Sequence, residues 1–197
     1  MGLTEALLTG GASVALISVL GKYLEFRWTQ TKKVKKASDV IKVVSTIYQI
    51  MQKVVNETPV ERFIILKAEN GGGRPKVGAH LYATAVMESH SNPEHTIIDK
   101  YSKLRVDSHY IEMLSDIIAK EKVLVTTSNL PNSLLKTIYL AEAVKYSEIR
   151  LLHTTDDAIY YCSVATTAEN EYFQDPSTVL NVELSCNKIS EILKKNI

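Results

Sequence analysis

The chain has 197 residues, of which 45% are hydrophobic and 23% are charged, and its formal net charge is +1. This composition is typical of a folded domain and excludes a disordered tail. A net charge so close to zero gives no general attraction to nucleic acid, so no nucleic-acid partner is predicted.

The N-terminal 36 residues predict a membrane anchor. Residues 6–21 carry no charge, and a basic run follows between Arg27 and Lys36. An uncharged stretch followed by basic residues favours a single-pass helix with the globular part on the cytoplasmic side. The stretch is short for a hydrocarbon core of about 30 Å, and a buried or surface-lying helix is the alternative. The predicted interface residues are Lys22, Tyr23, Trp28, Lys32 and Lys33.

Two further patterns predict association between copies of the chain, with a dimer as the simplest arrangement. The anchor has a small-residue face on which a second helix could pack, and residues 37–55 have an apolar stripe at helical spacing. The small-residue face consists of Gly11, Ala15 and Ser18, and the stripe contains Val40, Val44, Ile47 and Met51.

The lead helix is expected to end before Pro59. Residues 61–68 and 80–89 then predict two antiparallel strands joined by a glycine-rich tip. A helical pattern starts at Tyr101 and Leu104, and Asp107 or Ser108 can cap the helix that continues to 121. The later predictions are a strand over 122–127, a helix from Asn132 or Ser133, a hairpin of strands 148–154 and 158–167, and a closing helix from Ser177 with Leu180, Leu184, Ile189 and Leu193 facing the sheet.

This order of elements, with the strand pair in 147–167 leading into the helical residues 187–193, resembles GAF and related PAS-like sensor domains. The resemblance covers about residues 38–195. It implies an α+β fold in which an antiparallel sheet of about five strands is flanked by helices, behind a transmembrane helix. The predicted domains are therefore an anchor with its basic segment, residues 1–36, and a GAF-like domain, residues 37–197. No ligand-binding motif of the family is matched, so no ligand position is carried over.

The layout also resembles holins of T-even-type bacteriophages, which combine a membrane segment, a connecting helix and a globular domain. Those holins begin with a longer charged segment and place the globular domain in the periplasm. The basic residues after the anchor predict the opposite orientation here.

Candidate site residues are few. Tyr160 and Tyr161 lie on a predicted strand and point to opposite faces, so one of them could line a ligand pocket. Gly72 and Arg74, in the hairpin tip, could approach an anion, although a mobile tip explains them more simply. His90 and His95 with Glu88 could meet at a metal, but a solvated loop is favoured because Pro93 breaks any helical spacing.

We therefore expect a membrane-anchored, non-enzymatic binding or sensory module without a cofactor or metal. A small molecule or a protein on the sheet face would shift the lead helix and change the packing of the anchors. Signalling would then run through assembly or through a separate output protein. The alternative is a holin-like lysis protein whose assembly in the membrane is itself the activity. Cys162 and Cys186 form no CxxC pair and are expected to be buried, reduced thiols.

Overall fold

The computed structural model of the chain describes residues 36–70, 79–168 and 174–197. The chain divides into two compact units, Met1–Ser45 and Thr46–Ile197. Within the described ranges, no helix is both long enough and apolar enough to cross a bilayer. The predicted anchor, with its interface residues and its small-residue face, lies outside those ranges, and so do Gly72 and Arg74. The domain division at residue 36 stays a prediction.

The second unit is built around one antiparallel sheet whose strands follow the order β3-β2-β1-β6-β5-β4. The strands are β1 Arg62–Glu69, β2 Tyr82–His90, β3 Leu104–Arg105, β4 Lys122–Thr126, β5 Tyr146–Thr154 and β6 Ala158–Thr166. The helices are α1 over residues 36–57, α2 Ser108–Lys120, α3 Leu134–Ala141 and α4 Pro176–Asn196. The predicted α+β fold is confirmed, but the sheet has six strands where about five were expected.

The additional strand is β3, and its residues were wrongly predicted to be helical. Leu104 and Arg105 pair with Ala83 and Tyr82 at the edge of the sheet. Tyr101 ends a short 3-10 turn and is buried. Because both Tyr101 and Leu104 contribute to the same core, their spacing of three imitates a helical stripe without a helix.

Both faces of the sheet are covered, which explains why its central strands are almost continuously apolar. Strand β1 sends Ile64 and Leu66 towards α2 and α3, where they join the main hydrophobic cluster. Its other face carries Phe63 and Ile65, which are also buried. On that other face of the sheet, Cys162 of β6 meets α4. Because successive residues of a strand point to opposite faces, a strand that is buried on both faces needs apolar side chains at odd and at even positions, as in β1.

Helix α4 meets the sheet through a different stripe from the one predicted. Leu180 and Leu184 are 57% and 51% exposed, whereas Ile189 and Leu193 are buried as expected. The apolar residues of the buried face are Val182, Cys186, Ile189 and Leu193, at spacings of four, three and four. Leu180 lies nine residues before Ile189, which places it half a turn away on the helix at about 100° per residue.

Asp107 holds the N-terminal ends of two helices. One carboxylate oxygen accepts from the backbone N–H of Tyr110, 2.8 Å away, and the other accepts from the backbone N–H of Leu134, 2.6 Å away. Tyr110 lies in the first turn of α2, and Leu134 is the first residue of α3. The side chain therefore caps α2 and fixes the start of α3 beside it.

We expect Asp107→Ala to lower the free energy of unfolding by about 1–2 kcal/mol, because both backbone donors lose their acceptor. Asp107→Asn keeps one acceptor oxygen and should lose about half as much. Urea unfolding measures both. The control is Asp116→Ala, which removes only an exposed ion pair with Lys120 and should change stability by about 0.5 kcal/mol or less. Equal losses for the two alanine variants would contradict the double cap.

Candidate functional site: a cleft and a cavity that share Arg62

One end of the sheet carries an open cleft. There β1 begins at Arg62, which pairs in register with His90 at the end of β2 and with Ala165 of β6. The end of α3, at Ala141, lies beside them. The cleft has a volume of about 570 Å³, and we call it the Arg62 cleft. Its polar lining includes Glu61, Arg62, His90, His95, Lys100 and Glu142.

Arg62 lines this cleft and is only 6% exposed. Its Nε lies 3.4 Å from an oxygen of Glu88, and its Nη2 lies 3.5 Å from an oxygen of Glu142. The Nε group makes no hydrogen bond with any of the described residues. The guanidinium is therefore neutralised by two carboxylates but held by long contacts, although it has five N–H donors to satisfy.

The carboxylates around Arg62 are each held by other donors. Glu88 accepts from the backbone N–H groups of Ile97 and Ile98, both at 2.9 Å. Glu142 accepts from the Lys100 ammonium at 2.6 Å. Because each acid already has a close partner inside the fold, a ligand in the cleft would meet Arg62 as a donor without a comparable partner.

Two imidazoles, those of His90 and His95, also line the cleft. The ring centroids of His90 and His95 are 5.9 Å apart, with an edge-to-face arrangement. Nδ1 of His90 accepts from the backbone N–H of Asn92 at 2.8 Å, so the neutral ring carries its proton on Nε2. Burial lowers the pKa of His90, and the charges of Arg62 and His95 lower it further. His90 is therefore held as a neutral N–H donor.

A metal site finds no support at this position. The Glu88 carboxylate is directed at backbone N–H groups, so it is not shared with the two imidazoles. Across the parts of the chain that the structure describes, no three His, Cys, Asp or Glu side chains are grouped so that they could hold a metal ion.

The lowered pKa of His90 predicts a loss of stability in mild acid. The folded state binds a proton at His90 less tightly than the unfolded chain does, and the ordinary pKa of histidine is 6.5. The stabilisation by neutral His90 is therefore complete above pH 6.5 and is lost as the pH falls below that value. In urea unfolding, we expect the free energy of unfolding to fall less between about pH 7.5 and about pH 5.5 in His90→Gln than in the wild type. His80→Gln, at an exposed position, serves as the control and should follow the wild type.

A small cavity of about 20 Å³ lies beside Arg62, between the sheet and helices α2 and α3. We call it the tyrosine cavity. Four tyrosines contribute to its lining: Tyr101, Tyr110, Tyr139 and Tyr161. A space of this size holds about one water molecule, because a water needs about 10–15 Å³.

Three of the four tyrosine hydroxyls have hydrogen-bond partners around the cavity. The hydroxyl groups of Tyr110 and Tyr161 are 2.7 Å apart. The Tyr139 hydroxyl lies 3.0 Å from Oγ of Ser147 and 3.1 Å from Oγ of Ser163. Burial raises the pKa of Tyr110 and of Tyr161, so both stay protonated and act as hydrogen-bonding groups.

The predicted site residues have different positions in the structure. Tyr161 lines the tyrosine cavity, whereas Tyr160 lies on the opposite face in register with Lys67. The predicted apolar stripe of α1 divides in two: Val40 and Val44 are exposed, and Ile47 and Met51 are buried.

Sequence reasoning missed Arg62, Lys100, Glu142 and Tyr139, which form no local motif. One signal was present in the sequence. Alternation along β1 places Arg62 on the same face as Ile64 and Leu66, and a charged residue on a core face is unusual. That position alone could have marked Arg62 for attention.

Comparison with known proteins supports the fold. No family model matches the sequence, and no curated protein does. Among solved structures, the phycocyanobilin-bound GAF domain of a cyanobacterial phytochrome aligns with a TM-score of 0.55 and 10% identity, over 83% of this chain and 90% of that one. A red/green cyanobacteriochrome in its red-light-absorbing state aligns with a TM-score of 0.54 and 12% identity, over 78% of this chain and 94% of that one. A GAF domain/HD domain protein from Geobacter sulfurreducens aligns with a TM-score of 0.51 and 10% identity, over 77% of this chain and 90% of that one.

Identities this low carry information about the fold alone. The predicted GAF-like fold is confirmed by these likenesses, which span more than three quarters of the chain.

Proposed function

We propose that this chain is a non-enzymatic sensory module that binds a small ligand at the Arg62 cleft. The observation that carries the proposal is the position of Arg62. It belongs to the lining of the Arg62 cleft and to that of the tyrosine cavity, so a ligand held by its guanidinium would act on both.

The donors in the cleft favour a ligand with a carboxylate or a phosphate group. Arg62 and His90 offer N–H groups, whereas Glu88 and Glu142 are already held by internal donors. A guanidinium fork matches the two oxygens of a carboxylate or a phosphate. The tyrosine cavity, at about 20 Å³, is far smaller than the roughly 300–1,000 Å³ of ordinary ligand pockets. The phytochrome GAF domain holds phycocyanobilin, but for this chain we place the ligand in the cleft.

Binding at the cleft would reach the helices through residues that already connect them. Glu142 follows α3 and is bonded to Lys100, which precedes α2. A ligand that draws Arg62 away from Glu142 would change how the end of α3 is held. The domain then has two arrangements, with and without the contact between Arg62 and Glu142. The ligand shifts their populations by as much as its affinities for the two differ.

We also propose that the N-terminal segment tethers this module to a membrane and that copies associate through their helices. The exposed apolar residues of α1 support association: Val40, Ile41 and Val44 in the first unit, and Tyr48 in the second. An apolar helix face in water favours a partner helix. Full-length chain in detergent, examined by analytical ultracentrifugation, should sediment as a dimer, and a Val40→Asp, Val44→Asp variant as a monomer. A wild-type monomer would contradict this part of the proposal.

A fragment screen tests the ligand site. The full-length chain, labelled on backbone amides, is titrated with a library of small carboxylates, phosphates and uncharged compounds of matched size. Anionic fragments should shift the backbone amides of residues 61–62, 90–92, 94–96 and 142 in the nuclear magnetic resonance spectrum. Shifts confined to other parts of the domain, or an equal response to the uncharged set, would contradict the site.

A further inference from the structure

The second buried face of the sheet carries a pair of thiols. Cys162 of β6 and Cys186 of α4 are both free and buried, and their Sγ atoms are 3.6 Å apart. Strand and helix therefore hold the two sulfur atoms in contact, although 24 residues separate them along the chain. Only a small approach separates this arrangement from a bond of about 2.05 Å.

A surface pocket gives one of the two thiols access to solvent species. The pocket has a volume of about 240 Å³, and Cys186 forms part of its wall together with Arg150 and Lys194. Cys162 is not among its lining residues and is completely buried. A small molecule that enters this pocket therefore meets Cys186 before it can meet Cys162.

Charges line this region as well. Arg150 stands opposite Cys162 in the β5–β6 register, and its Nη2 lies 3.3 Å from the Glu183 carboxylate of α4. Its Nε bonds to Glu148, and Glu121 also lines the pocket. Arg150 and Lys194 thus bring two positive charges to the wall that contains Cys186, next to the carboxylates of this region.

We propose that Cys186 and Cys162 form a peroxide-responsive pair, in which a hydroperoxide reacts at Cys186 and the product is a disulfide between β6 and α4. In the first step, the Cys186 sulfur attacks one peroxide oxygen and the O–O bond breaks. The sulfur is oxidised to a sulfenic acid, and the peroxide is reduced to an alcohol or to water, which takes the thiol proton. In the second step, the Cys162 sulfur attacks the Cys186 sulfur. The S–O bond breaks, the S–S bond forms, and hydroxide leaves as water with the Cys162 proton.

The environments of the two thiols set this order. Burial raises the pKa of the Cys162 thiol well above its ordinary value, and a protonated thiol is a poor nucleophile towards peroxide. Cys162 is therefore the resolving residue, since contact with the oxidised Cys186 compensates for its low thiolate fraction.

The disulfide would pin α4 to the centre of the sheet beside the Arg150–Glu183 contact. It would close a segment of 24 residues, which constrains the unfolded chain. We expect the melting temperature of the oxidised chain to rise by roughly 5–10 °C over that of the reduced chain.

To test this, the folded, full-length chain is treated with hydrogen peroxide and digested, and its peptides are identified by mass spectrometry under non-reducing conditions. The expected product is a reducible link between the peptides of Cys162 and Cys186, with a mass lower by two hydrogens. Cys162→Ser should stop at a sulfenic acid on Cys186, which dimedone traps. Cys186→Ser should give neither product.

Two results would overturn the proposal: no link in the folded wild type, or trapping of Cys162 in the Cys186→Ser variant. If either serine variant fails to fold, the alanine variants replace it, because alanine leaves no hydroxyl in an apolar site. The melting temperature of each reduced variant checks its fold before oxidation.

Discussion

Arg150→Met is expected to lower the free energy of unfolding by about 3–5 kcal/mol at neutral pH, because it leaves a buried carboxylate without its cation. Glu148 is 1% exposed, and its carboxylate bonds to the Arg150 guanidinium on the same strand. Methionine fills much of the arginine volume but cannot compensate the charge. Urea unfolding followed by circular dichroism measures the loss.

The double variant Glu148→Met, Arg150→Met separates loss of the pair from loss of packing. Replacement of both partners removes the uncompensated charge, so its stability should return to within about 1–2 kcal/mol of the wild type. Glu183→Met is the matched control for the outer contact of Arg150, because Glu183 is half exposed and its pair contributes about 1 kcal/mol or less. A double variant as unstable as Arg150→Met alone would contradict this account of the pair.

Tyr161→Ala is expected to cost about 3–5 kcal/mol, the range found when a large buried aromatic side chain is removed. Tyr161 is 1% exposed and lies in the main cluster between the sheet and helices α2 and α3. Its removal enlarges the tyrosine cavity and leaves the Tyr110 hydroxyl without its partner. The loss is measured by urea unfolding.

Two neighbouring substitutions separate the causes of that loss. Tyr161→Phe keeps the ring and removes only the hydroxyl, so it should cost about 1–2 kcal/mol. Tyr160→Ala changes the adjacent residue on the other face, which is only partly buried, and should cost about 1 kcal/mol. Equal losses for Tyr160→Ala and Tyr161→Ala would contradict the assignment of the two faces.

Local sequence patterns predicted those elements of the fold that a few neighbouring residues encode. The apolar run of β1, the cap at Asp107 and the hairpin of β5 and β6 are each encoded within a few residues, and the predicted elements follow from them. Strand β3 could not be predicted, because two residues carry no alternation of their own. It is a strand only because β2 offers a free edge beside it.

The stripe of α4 was misassigned for a different reason. Leu180 and Leu184 are the largest apolar residues in the first half of the helix, and hydrophobicity alone places them inside. The buried side instead carries the smaller Val182, Ser185 and Cys186, which allow the helix to lie close to the sheet. The size of the side chains that contact the sheet therefore decided which face of α4 is buried.

The candidate site was largely hidden from sequence reasoning because its parts are distant along the chain. Arg62, Lys100 and Glu142 come from the start of β1, the turn before β3 and the end of α3. Their meeting depends on the register of the whole sheet. Alternation along one strand placed Tyr160 and Tyr161 on opposite faces but left open which of them lines a cavity, because the hydroxyl partner of Tyr161, Tyr110, lies 51 residues earlier on a helix.

Binding of an anion through Arg62 is the central claim, and one affinity comparison tests it. Isothermal titration calorimetry gives the dissociation constant of the tightest carboxylate or phosphate fragment from the screen, for wild-type chain and for Arg62→Lys, with Arg105→Lys at an exposed position as the control. We predict binding roughly tenfold weaker or worse for Arg62→Lys alone, because lysine keeps the charge but lacks the planar fork. An unchanged dissociation constant in Arg62→Lys would contradict the claim.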